Sequence, residues 1–287
     1  MNTPTIPEPQ KRRLQAHFAF TRLPFRKNMH ASDMFDSRAQ RDLLHGLQLW
    51  TEIRGLGLAT GSSGVGKSIT LRRFTAGLDE TRFRVLHLSN LPTTEMGFLR
   101  SLNRALGLPM RAHAADLFDQ AHAHLTAHTD ESGPHPLLVL DDAEGVRPAL
   151  FDLLRRLTAY ALDAEDRFSL LVTGTDALLR TLKDPSLEPF INRVSFACAL
   201  KPFSLEDTRN YVRFHLQKAG AKDQLFSDDA IRRLFLASQG LPRRVNQLAL
   251  HALVAAAVLG HDTITADFLS HQISSHPLYD AVSLGSP

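Results

Sequence analysis

The stretch GSSGVGKS, Gly61 to Ser68, fits the pattern G-x-x-x-x-G-K-[ST] at every fixed position. That spacing serves one kind of chemistry, the grasp of a phosphate chain. Glycines let the backbone curl until its N–H groups converge on phosphate oxygens, and the helix that follows adds partial positive charge at its first turn. Gly61, Ser62, Ser63, Gly64, Val65 and Gly66 would form the cradle, and Ile69 would continue it into the helix. The ammonium of Lys67 would reach the β- and γ-phosphates, and the hydroxyl of Ser68 would ligate Mg²⁺.

A second stretch, LLVLDDAEGV at Leu137–Val146, supplies the other half of such a site. An apolar strand ending in Asp141 sets a carboxylate beside the phosphate loop, where it can hold the water shell of the ion. Asp142 is then the candidate to orient or deprotonate an attacking water, with Glu144 as its rival. Asp142 can also be read as a solvated acid in a turn.

These residues need a scaffold that brings two loops together. Short apolar runs at 55–60, 84–89, 136–141, 168–173 and 194–200 alternate with helical segments. Strands without polar alternation, separated by helices, predict a parallel sheet covered on both faces. Ser37 and Gln40 form a capping-box signature ahead of the helix RAQRDLLHGLQLWTEI. After residue 200 only helical patterns remain, with caps at Ser204 and Ser227 and stops at Gly220 and Gly240. The expected fold class is α/β of the P-loop NTPase type, with a central five-stranded parallel sheet and a small all-helical lid. The expected organisation is a basic, partly disordered arm over 1–30, the nucleotide-binding domain over 31–202, and the lid with a C-terminal tail over 203–287.

Of the 287 residues, 43% are hydrophobic and 22% charged, ordinary for a soluble globular protein. The longest apolar run, LALHALVAAAVLG, is too short to span a bilayer and contains His251. No secretory leader opens the chain. The single cysteine, Cys198, excludes an internal disulfide and suits a cytoplasmic setting. Net charge is +3, yet residues 1–30 hold six basic side chains against one acid, a balance of +5, so the rest sums to −2. A basic arm on a near-neutral body suits phosphates or an acidic partner. The histidines at 113, 122, 124, 128 and 135 form no H-E-x-x-H pattern, which argues against a metal site there.

Four further segments join the two nucleotide motifs. They are FAFTRLPF (18–25), LLVTGTDALL (170–179), EPFINRVSFACALKPFS (188–204) and GLPRRVNQL (240–248). Together, from about His17 to residue 275, the chain resembles the AAA+ ATPases of the ExeA-like and MuB/TniB/TnsC-like group. The resemblance implies ATP and Mg²⁺ as cofactors. It makes Thr173 or Thr175 the polar residue near the γ-phosphate, Arg193 the arginine finger and Arg243 the sensor-two arginine. Arg193 and Arg244 can each also be read as plain surface ions. A finger that reaches a neighbouring subunit implies a homo-oligomer, ring or helical filament.

Asp142 stands where those relatives carry a catalytic glutamate, one methylene longer. A carboxylate misplaced by ~1 Å can cost ~10²-fold in rate, so slow hydrolysis is expected. ExeA-like secretion ATPases carry a membrane span and a peptidoglycan-binding region after the ATPase. A chain of this length with a basic arm looks more like a MuB/TniB-type transposition helper, which implies double-stranded DNA and a transposase as partners and no membrane. Its DNA contacts would fall mostly on phosphates and be steeply salt-sensitive, with Arg100, Arg104 and Arg111 as candidates. The alternatives are a secretion or envelope-assembly ATPase acting on protein partners, and a replication or repair loader.

Overall fold

The computed structural model describes residues 7–26, 34–127, 133–160, 166–221 and 224–275. These form two compact units. One is residues 38–201; the other joins the described residues before 38 to those after 201.

In chain order the elements are α1 (Glu8–His17), α2 (Arg38–Ile53), β1 (Leu56–Thr60), α3 (Lys67–Ala76), β2 (Phe83–Leu88), α4 (Glu95–Leu106) and α5 (Ala114–Thr126). They continue with β3 (His135–Leu140), α6 (Pro148–Thr158), β4 (Ser169–Gly174), α7 (Asp176–Thr181), α8 (Glu188–Ile191) and β5 (Val194–Ala199). The last four helices are α9 (Leu205–Ala219), α10 (Asp228–Ser238), α11 (Pro242–Leu259) and α12 (Ala266–Ser274).

The five strands form one parallel sheet in the order β2-β3-β4-β1-β5. β1, β3 and β4 are buried at every residue, the mark of strands with helices on both faces. The edge strands are partly open to water: Arg84 and His87 are exposed on β2, and the alternate residues Ser195, Ala197 and Ala199 on β5. α2 anchors the β5 side through Leu43, Leu47 and Trp50. Because all strands run the same way, the ends of β1, β3 and β4 open at one edge, and β4 lies between the other two. That ordering brings the phosphate loop and the acidic turn to one place.

The helical unit is tied together by its caps. Ser204 and Asp207 make a reciprocal capping box at the start of α9, Ser227 caps α10, and Thr265 caps α12. Residues 7–26 of the expected basic, partly disordered arm, and residues 34–37, cluster with the helical unit, while residues 38–201 form the other. Residues Glu8–His17 are helical, and Leu14 is completely buried. Arg13 donates from Nε to the Ala257 carbonyl at 3.1 Å and from Nη2 to the Val258 carbonyl at 2.8 Å. Those carbonyls belong to the last turn of α11, where a cation meets both open acceptors and the negative end of the helix dipole. Phe25 stacks on His215 at 5.1 Å, and Phe35 meets Phe203 and Tyr211 at 5.7 and 5.4 Å. A count of charges treats Arg13 as available to a partner; the fold uses it internally. Lys27 and the remainder of the arm before Pro7 lie outside the described residues.

Leu14→Ala tests this docking. Removing a fully buried leucine should cost about 3 kcal/mol in denaturant unfolding. A free arm would show no loss.

Candidate functional site

The loop after β1 turns through backbone that side chains resist. Gly61 has φ 153°, and a Cβ there would lie 2.6 Å from the Leu200 carbonyl oxygen. Gly66 has φ 111° and serves as the N-cap of α3. Both positions therefore require glycine. Lys67 opens α3 with only 6% of its surface exposed. Its Nζ donates to the Gly61 carbonyl at 2.6 Å and the Ser62 carbonyl at 3.4 Å, so the loop wraps its own lysine. Burial pulls the Lys67 pKa below the ordinary lysine range, while the charges of Glu144, Asp142, Asp141 and Asp176 pull it back up. Ser68 is exposed on the first turn of α3.

Asp141 follows β3 directly and is 7% exposed. Its Oδ1 accepts from the hydroxyl of fully buried Thr173 at 2.5 Å and from the Asp142 N–H at 3.1 Å. Both bonds fall on Oδ1, so Oδ2 is the oxygen that would serve an ion. The alcohol of Ser68 and the carboxylate of Asp141 are hard oxygen donors, the chemistry that fits Mg²⁺. When bound there, the ion would offset charge on the phosphate oxygens.

Of the two threonines proposed from the sequence, Thr173 touches Asp141. Thr175 caps α7, its hydroxyl accepting from the Ala177 N–H at 3.3 Å. Asp142 is exposed, in left-handed backbone at φ 58° and ψ 53°. Glu144 follows in the short 3₁₀ turn Ala143–Gly145. Asp176 is a residue that sequence reasoning missed: its Oδ2 accepts from the Ser62 hydroxyl at 3.1 Å, joining α7 to the phosphate loop. Its only sequence signal is an acid directly after the threonine turn.

The arginines are placed differently. Arg193 donates from Nη1 to the Arg155 carbonyl at 3.3 Å and the Thr158 hydroxyl at 3.4 Å, at the end of α6. Arg243 is exposed on the first turn of α11 in the helical unit, and Arg244 donates to Gln239 Oε1 at 3.0 Å. Arg100 and Arg104 lie one turn apart on the exposed face of α4, whose other face buries Phe98, Leu99, Leu102 and Leu106. Arg111 is exposed and reaches Gln120 Oε1 at 3.5 Å. Among the described residues no group of three His, Cys, Asp or Glu side chains could hold a metal. His122 bonds the Ala159 carbonyl at 3.0 Å and His135 the Ser169 hydroxyl at 2.9 Å; His128 lies outside the described residues.

Comparison with known proteins bears on the fold. Residues 51–182 match the family described as AAA domain. The chain is 30% identical over 212 residues to General secretion pathway protein A of Aeromonas hydrophila, a stretch covering 73% of this chain and 38% of that relative. The chain thus spans well under half the length of this relative. Among solved structures it is similar to Cdc6p from Pyrobaculum aerophilum, with TM-score 0.64 and 18% identity over 92% of this chain and 73% of that one. It is also similar to Drosophila ORC bound to DNA, with TM-score 0.63 and 13% identity over 100% of this chain and 73% of that one. A third likeness is the Thermotoga maritima RuvB Holliday junction branch migration motor, with TM-score 0.55 and 15% identity over 87% of this chain and 72% of that one. The fold is that of a P-loop AAA+ protein. Among the described residues no helix is long and apolar enough to cross a membrane.

Thr173→Val keeps the shape and removes the hydroxyl that holds Asp141. The buried acceptor should cost about 1–3 kcal/mol in thermal unfolding. The Mg²⁺ concentration needed for nucleotide binding should rise severalfold. If both are unchanged, Thr173 does not position the metal ligand.

Proposed function

With the AAA+ fold as premise, we propose that this chain binds ATP and Mg²⁺ through Gly61–Ile69 and Asp141 and hydrolyses ATP as an oligomer. Its nucleotide state would control its hold on a macromolecular partner. The observation that carries the reading is the Lys67 ammonium, drawn inside the loop on the Gly61 and Ser62 carbonyls, with the charges of four carboxylates acting on it. Phosphoryl transfer asks for positioning and charge stabilisation more than covalent chemistry. A buried lysine beside a fixed carboxylate supplies both. Arg193 as a finger in trans would have to leave the α6 carbonyl it now bonds, which makes turnover depend on assembly.

The partner is the finer part of the proposal. Similarity at 30% identity to a protein named for general secretion supports a protein partner. A second reading is duplex DNA, with delivery of target DNA to a transposase as its most specific form. It rests on the exposed arginines at 100, 104 and 111 and on the likeness in fold to Drosophila ORC, solved bound to DNA.

One binding experiment separates these readings: duplex DNA titrated with and without a non-hydrolysable ATP analogue, at several salt concentrations. DNA binding predicts ATP-dependent affinity that falls about 10³-fold or more between 50 and 200 mM salt if six or more phosphates are contacted. No ATP-dependent binding removes the DNA and transposition readings and leaves the protein partner. Lys67→Ala should abolish nucleotide binding, and unchanged affinity would refute the phosphate-loop assignment. Turnover per subunit should rise with protein concentration; a rate independent of dilution would refute the finger in trans.

A further inference from the structure

The two acids after Asp141 differ in what surrounds them. Asp142 sits in left-handed backbone with its side chain exposed. That residue reverses the chain, and the 3₁₀ turn Ala143–Gly145 carries Glu144 back against the end of β4. A Cβ placed on Gly174 would stand 3.3 Å from Glu144 Oε2. Gly174 pairs in register with Thr60, the last residue of β1 before the phosphate loop. Glu144 Oε2 is shut off from solvent and has no hydrogen-bond partner among the described residues. A buried carboxylate oxygen with no donor is costly, and native structures keep few of them without a use.

We infer that Glu144, rather than Asp142, is the carboxylate that activates water in this site. The inference rests on the ATPase reading above and adds the identity of its base. The sequence displaces the acid by two positions, and the turn returns it to the strand ends. The longer glutamate side chain supplies the reach that Asp142 lacks. In the step itself, the oxygen of water bonds to the terminal phosphorus of ATP while Glu144 takes one of its protons. The bond from that phosphorus to the bridging oxygen of ADP breaks, and the proton passes on to solvent or product phosphate.

The test uses the full chain with ATP and Mg²⁺, following phosphate release and, separately, binding of a fluorescent ATP analogue. Glu144→Gln keeps the shape and loses the base. Its kcat should fall by roughly 10²-fold or more, with analogue affinity and thermal midpoint close to wild type. Asp142→Asn should lose far less. Gly145→Ala, whose added Cβ meets nothing within 4 Å, should behave as wild type. In the Glu144→Gln background, Asp142→Glu should fail to restore turnover. A role only as counter-ion to Lys67 would instead change analogue affinity and leave kcat at saturation intact, and that result overturns the assignment. So would wild-type kcat in Glu144→Gln, or rescue by Asp142→Glu. A wild-type chain that neither binds nor hydrolyses ATP overturns the ATPase reading and this inference together, whereas wild-type turnover with an unaffected Glu144→Gln overturns this inference alone.

Discussion

A lysine ammonium enclosed at the open end of a parallel sheet is the constraint on which the rest of the site depends. Taking such a charge out of water costs several kcal/mol unless acceptors and opposite charges surround it. The acceptors come from the turn that presents it, through the Gly61 and Ser62 carbonyls. The opposite charges come from elsewhere: Asp141 after β3, Asp142 and Glu144 in the turn beyond, and Asp176 on α7. Only the strand order β3-β4-β1 brings these segments to one edge. The sheet's buried apolar strands thus hold a polar cluster whose members lie more than a hundred residues apart in the chain.

β4 is the mediator. It separates the strand that leads into the loop from the strand that ends at Asp141. Thr173 on this strand binds Asp141, Gly174 makes room for Glu144, and Asp176 just beyond holds Ser62. A carboxylate held by a buried hydroxyl keeps one oxygen aimed away from that bond, which is what an ion with strict octahedral demands requires. The glycine at 174 has the same logic in reverse. A side chain there would strike Leu178 at 2.7 Å before it crowded Glu144.

The phosphate loop, Asp141 and the five strands could be read from residue type because each is a local pattern. Glycine spacing, an apolar run and its terminal acid are visible within ten residues. Thr173, Glu144 and Asp176 could not be ranked that way, since their roles arise from which strand lies between which. Thr173 and Thr175 look alike in LLVTGTDALL, and only burial separates the one that meets Asp141 from the one that caps α7. Glu144 ranked behind Asp142 because adjacency in sequence favoured the nearer acid. A left-handed residue at 142 reverses that order. The leading segment failed for the opposite reason: its proline-rich, charged composition masks one leucine and a few aromatics that are enough to dock it.

Charge counting has the same weakness at Arg193. Its guanidinium meets the end of α6 through two long bonds, at 3.3 and 3.4 Å. A cation at a helix C-terminus contributes only about 0.3–1 kcal/mol at a surface. A phosphate chain accumulating charge in a neighbouring subunit would offer more, since arginine fingers are worth roughly 10³–10⁵ in rate, or about 4–7 kcal/mol. If Arg193 acts as the proposed finger, exchanging its α6 contact for a neighbour's phosphate chain would favour the assembled state. On the proposed function, that exchange would couple hydrolysis to assembly.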